Sequence, residues 1–138
     1  MPEYVVLDSE AVSTLAHPRE RGASARRAQA VLVAAERRSA LIRIPAAVLV
    51  EVYRGGPRDA AIDRIVNVPE RVVATDARVA RLAGRMLGRR KLDSRHAVDA
   101  IVVATAAALG SSVILTGDPN DLRRLAVEHP HVVVIPLP

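Results

Sequence analysis

Cysteine, phenylalanine and tryptophan are absent from this 138-residue chain, and lysine occurs once, at Lys91. Without cysteine there is no disulfide framework, no thiol nucleophile and no cysteine-ligated zinc site. Tyr4 and Tyr53 are the only aromatic residues of the Phe, Trp and Tyr set, so a platform that stacks the bases of a single strand is not expected. No apolar run is long enough to span a bilayer; AIVVATAAALG, the longest candidate, suits a buried helix. Acidic residues and a strand-like run begin at once, unlike a secretory leader, so the expected location is the cytoplasm.

Half of the residues are apolar (50%), which supports a folded core rather than disorder. The length suits one domain spanning residues 1–138, with no repeat or linker visible. Formal net charge is +5, and the basic side is almost wholly arginine. Arginine forks match phosphate geometry and so allow an RNA or DNA ligand held through its backbone. An arginine-rich genome-wide composition explains the same bias equally well.

Apolar patterning alternates strands with helices. Strands are expected at 4–8, 41–44, 72–74, 113–116 and 132–135, with helices at about 9–16, 24–38, 46–54, 59–66, 76–89, 97–109 and 120–128. HPRERG reads as a polar turn, and Pro45 fits the first turn of the helix after it. This order implies a three-layer α/β fold with a mostly parallel sheet.

Four carboxylates stand in or beside apolar runs. Asp8 closes YVVLD, Glu51 interrupts AAVLVEVY, Asp99 interrupts AVDAIVVATA, and Asp118 follows VILTG. Asp8 and Asp118 fall at the C-terminal ends of strands, the edge where open parallel sheets bind ligands. Asp8 can instead simply cap the helix after it. Asp118-Pro119-Asn120-Asp121 likewise reads as an N-cap, an N1 proline and an N3 acid. Glu51 taken alone is compatible with an ordinary surface helix. Asp99 is the strongest anomaly, because Asp is a poor helix-interior residue and its neighbours Val98, Ala100, Val102 and Val103 are apolar. A helix starting at Asp93 or Ser94 would leave it too far in to cap.

Buried acids need a partner or a metal to offset desolvation. Oxygen donors without cysteine or paired histidines favour Mg²⁺ or Mn²⁺ over zinc. Asp121 is an accessory candidate, and Thr116 a residue that could orient a carboxylate or water. His17, His96, His129 and His131 lack a paired ligand spacing and are read as surface or capping residues. Arg78, Arg81, Arg85 and Arg89 form one stripe on a helix, favoured as a solvated face or dimer rim over a phosphate track.

VVLDSEAV, PAAVLVEVYRG, VDAIVVATA and VILTGDPNDL, in that order, resemble the PIN-domain ribonucleases. More narrowly they are similar to the VapC toxins of type II toxin–antitoxin pairs, from Tyr4 to the C-terminus. The resemblance implies a five-stranded parallel sheet between helices and a homodimer. It also implies a VapB-like antitoxin that wraps the toxin. Asp8, Glu51, Asp99 and Asp118 then take the catalytic and metal-binding positions, with Asp121 as an accessory. The implied reaction is Mg²⁺- or Mn²⁺-dependent hydrolysis of RNA to 5′-phosphate and 3′-hydroxyl ends, which inhibits translation or growth. Two departures stand near the site: Ser9-Glu10 follows the first Asp, and Gly117 occupies a position where serine is frequent.

Two rival readings remain. An aspartate-based phosphatase or receiver also places an Asp after its first strand, but Glu10 stands where its second Asp belongs, and Lys91 lies in a polar link. A PIN-like scaffold that binds RNA or antitoxin without cutting has no physical reason to keep all four acids.

Overall fold

The computed structural model describes residues 2–137. The strands are β1 (Tyr4–Leu7), β2 (Leu41–Pro45), β3 (Val72–Val73), β4 (Ser112–Thr116) and β5 (Val132–Pro136). The helices are α1 (Ser9–Ala16), α2 (Pro18–Arg37), α3 (Val48–Val52), α4 (Asp59–Val66), α5 (Ala77–Arg89), α6 (Ala97–Leu109) and α7 (Pro119–Leu125), with a 3₁₀ turn at Ser94–His96 before α6. The strands form one sheet in the order β3-β2-β1-β4-β5, and every pairing is parallel. The expected α/β architecture and five-stranded parallel sheet are therefore present.

The strand order explains the layers. From β1 the chain steps outward to β2 and β3, then returns across the sheet to β4 and β5. Right-handed crossovers in opposite directions put their helices on opposite faces. Accordingly α1 packs with α2, α3 and α4, while α6 packs with α5 and α7 and touches β1, β2, β4 and β5. The reversal lies between β1 and β4, whose C-terminal ends flank a crevice.

A core without Phe or Trp is built from small and branched aliphatic side chains. Val5, Val6, Leu7, Ile114 and Leu115 in the central strands are wholly buried, as are Val102, Val103, Ala104 and Ala106 on α6. Each large buried aliphatic contributes about 1.5–3 kcal/mol. Alanines on α6 let its backbone lie close to the sheet, so this helix, apolar nearly all round, is central as its composition implies. It stops at Gly110, whose φ of 130° is open to glycine.

Several local expectations need correction. HPRERG is not a turn: Pro18 takes the first position of α2, and the chain kinks at Gly22 (φ 43°) before the helix continues. Pro45 ends β2 instead of opening a helix, and α3 is only five residues long. α7 ends at Leu125 rather than Glu128. The stripe Arg78, Arg81, Arg85 and Arg89 is exposed on α5, opposite buried Val79, Ala83 and Met86. Arg89 pairs with Glu128. No helix among the described residues is long and apolar enough to cross a membrane.

Candidate active site

Asp8 leaves β1 directly into α1. Its backbone N–H donates to the Leu115 carbonyl of β4 (3.3 Å), which locks it to the sheet reversal. One carboxylate oxygen accepts from the Ala11 N–H at 2.8 Å, the N-cap bond of α1. The Thr116 hydroxyl and the Gly117 N–H also donate to the carboxylate. Three donors would hold an exposed acid low, yet burial outweighs them and the Asp8 carboxyl is pushed up from 3.8 to about 6. Capping and a place in the cleft are thus combined in one carboxylate.

Asp99 sits in the first turn of α6, because the preceding residues form a separate 3₁₀ turn capped by Asp93. The helix starts at Ala97 as expected, not at Asp93 or Ser94. Its half-buried carboxyl is also raised to about 6, first by burial and then by the charges of Asp118, Asp8, Glu51 and Asp121. That set of influences is the electrostatic signature of acids gathered at one place.

Glu51 and Asp118 are exposed. The flanking Val48 and Val52 are buried and half-buried, yet Glu51 itself stays exposed, so apolar flanks do not keep it from solvent. The Glu51 carboxylate nevertheless accepts a hydrogen bond from the Ser9 hydroxyl, which turns it toward Asp8. Asp118 stands at the N-cap position of α7 but makes no side-chain cap bond. Its N–H donates to Thr116 Oγ1 at 2.8 Å, so Thr116 links the two strand-end acids by accepting from one and donating to the other.

These four acids line one cleft of about 330 Å³ together with Ser9, Glu10 and Gly117. Among the described residues no arginine or lysine is ion-paired with any of the four. Asp121 lies to one side, ion-paired with Arg124 and beside His96. His96 Nδ1 is 3.6 Å from Asp121 Oδ2. One ligand atom each from His96, Asp99 and Asp121 fall within 4.8 Å of one another. His96 is neither a surface residue nor a side-chain cap: it is half-buried and makes no cap bond at the start of α6. Its position three residues before Asp99, one helical turn, was the signal available for it.

Glu10 and Gly117 form an interlocking pair. A Cβ on Gly117 would stand 2.2 Å from Glu10 Cγ, so the side chain of Glu10 fills the space that a residue at 117 would take. Glu10 is held there by an ion pair with Arg21. Beyond Glu51 lies a second cavity, of about 300 Å³, whose walls include Arg21, Arg54 and Arg58. These arginines adjoin the acids, whereas the α5 stripe contributes nothing to either cavity. Lys91 follows α5 and is absent from the cleft lining, so the lysine an aspartate phosphatase needs is not supplied.

A search of curated protein sequences returned no match. In fold, the chain is similar to a chain of the crystal structure of VapBC2 from Rickettsia felis bound to a DNA fragment from their promoter. The TM-score is 0.69 at 12% identity, over 96% of this chain and 98% of that one. The family model for the PIN domain matches residues 5–128, and the chain belongs to the PIN-domain family.

Proposed function

We propose that this chain is a divalent-cation-dependent endoribonuclease and the toxin of a VapBC-type toxin–antitoxin pair. The observation that carries this reading is the convergence of Asp8, Glu51, Asp99 and Asp118 on one cleft, without a paired arginine or lysine. Two of these acids are raised to about 6, Asp8 by burial and Asp99 first by burial and then by the charges of the other acids, and such carboxylates are costly unless a cation offsets them. An all-carboxylate donor set fits Mg²⁺ or Mn²⁺, with Asp8, Asp99 and Asp118 as ligands and Glu51 direct or through water. Such an ion, when bound, supplies positive charge to a phosphodiester and to the water attacking it.

The chain's own residues supply the rest. The donors on Asp8 fix its carboxylate, and Thr116 ties it to Asp118. Glu51, exposed and oriented by Ser9, is placed to accept a proton from the attacking water. With both carboxyls raised to about 6, they are mostly ionised at neutral pH, and the cleft is then ready for a cation. Arg54, bonded to the Val50 and Tyr53 carbonyls, can meet a phosphate flanking the scissile one, whereas Arg21 and Arg58 must first leave their pairs with Glu10 and Glu20. Attack at phosphorus breaks the P–O3′ bond; the departing 3′ oxygen takes a proton from solvent to become a hydroxyl, and the water oxygen stays on a 5′-phosphate.

The whole-length fold likeness to a chain of a VapBC2 complex supports the toxin role. A VapB-like antitoxin and a second copy of the chain are the partners expected. The test compares tag-free wild type with Asp99→Asn on RNA, mapping the ends produced. Wild type should cut with Mg²⁺ or Mn²⁺ and leave 5′-phosphates, and the variant should not. Equal cleavage by both would remove the assignment of the site. Unimpaired growth of cells expressing wild type without antitoxin would remove the toxin role and leave the nuclease chemistry standing.

A further inference from the structure

We propose that His96 is a nitrogen ligand to a divalent cation shared with Asp99 and Asp121, and that it tunes this end of the cleft toward Mn²⁺ over Mg²⁺. The inference rests on the reading of the cleft as a cation site and adds a residue and a selectivity to it. Ligand atoms about 2.1 Å from one cation stand about 3–4 Å apart. The ligand atoms of His96, Asp99 and Asp121 already lie within 4.8 Å of one another, close to that range. The imidazole is not otherwise engaged: it makes no cap bond on α6, and Nδ1 stands 3.6 Å from Asp121 Oδ2, longer than a hydrogen bond. Both side chains are about a quarter exposed (25% and 26%), screened enough to hold an ion and open enough to admit one.

Asp99 joins this triad to the rest of the cleft, since it also feels Asp118, Asp8 and Glu51. Two backbone features fix the placement. The 3₁₀ turn at Ser94–His96 puts His96 one turn before Asp99, and Asp121 lies in the first turn of α7, which packs on α6. Chemistry then sets the preference. Carboxylates alone serve Mg²⁺ and Mn²⁺ alike, whereas a nitrogen ligand is accepted better by the softer transition ion Mn²⁺ than by hard Mg²⁺ and so separates the two. The competing role for His96, together with Arg124 at 3.7 Å, is simply to offset the charge of Asp121.

The experiment is pulsed EPR on Mn²⁺ bound to the tag-free full chain. Imidazole coordination gives a ¹⁴N modulation, which should disappear in His96→Gln and persist when His17, His129 and His131 are all changed to Gln. Mn²⁺ affinity should fall at least about tenfold in His96→Gln, and the preference over Mg²⁺ with it. Should His96→Gln fail to fold, wild type carrying ¹⁵N-histidine decides, because a true ligand moves the modulation to the ¹⁵N frequency. Mn²⁺ bound without nitrogen coupling overturns the role of His96 and leaves the nuclease reading intact. Wild type that binds no Mn²⁺ overturns both.

Discussion

Replacing Asp99 by Asn should stabilise the metal-free protein while removing its response to cations. The Asp99 carboxyl is raised from 3.8 to about 6. At about 1.4 kcal/mol per unit this is about 3 kcal/mol for a fully buried group, and solvent screening of a half-buried one reduces it to about 1 kcal/mol. A raised carboxyl means that the folded state holds the proton more tightly than the unfolded state. Its contribution to stability is therefore complete below about pH 3.8 and is lost as pH rises through about 6. At pH 7.5 in EDTA, Asp99→Asn escapes the charge crowding and should be about 1 kcal/mol more stable, or roughly 3–5 °C in Tm. With Mn²⁺ at a hundredfold excess over Kd, wild type gains about 2.7 kcal/mol and overtakes the variant. Urea denaturation with and without Mn²⁺ measures both terms. A variant less stable than wild type in EDTA, or one that gains as much from Mn²⁺, would refute the reasoning.

Thr116→Val keeps shape but removes the hydroxyl between Asp8 and Asp118. It should cost about 1–2 kcal/mol in urea denaturation and push the Asp8 carboxyl above its present position in an NMR titration. Gly117→Ala sets a Cβ against Glu10 and should destabilise by about 1–2 kcal/mol. In a Glu10→Ala background the clash with Cγ is gone but the Cβ of residue 10 still stands 2.8 Å away, so the same change should cost less without becoming neutral; a double-mutant cycle that shows no coupling would discard the interlock. Asp76→Ala removes the N-cap bond to the Val79 N–H and should cost about 1 kcal/mol. RNA cleavage by this variant should be unchanged below its melting range, which separates stability from the site.

Where one local rule acts alone, the sequence was enough. The bounds of α4 and α6 follow from apolar spacing and from Gly110, and the two strand-end acids follow from the polarity of a parallel sheet. Elsewhere tertiary structure overrode the local pattern. Pro18 starts α2 because Gly22 can take a positive φ and let the helix turn and continue. Glu51 has apolar flanks in Val48 and Val52 but is itself exposed, and what holds it at the cleft is Ser9 on another element. His96 has no paired histidine spacing and is not next to all the acids; the informative spacing is the one to Asp99. The contact of Glu10 with Gly117 joins residues far apart in the chain, and no local period encodes it.

Helix ends explain how the fold tolerates so many acids before any cation is added. Asp8 caps α1, Asp99 lies in the first turn of α6, and Asp118 and Asp121 open α7. Positive helix ends thus face the cleft from three elements, each worth about 0.3–1 kcal/mol to a nearby carboxylate. That offsets part, but not all, of the desolvation that raises Asp8 and Asp99 to about 6. A cation is left to make up the difference. EDTA should therefore lower the Tm at pH 7.5 without abolishing helical circular dichroism at 25 °C. Loss of the helical signal on chelation would mean that the ion holds the fold itself, and that the helix ends do far less than their placement implies.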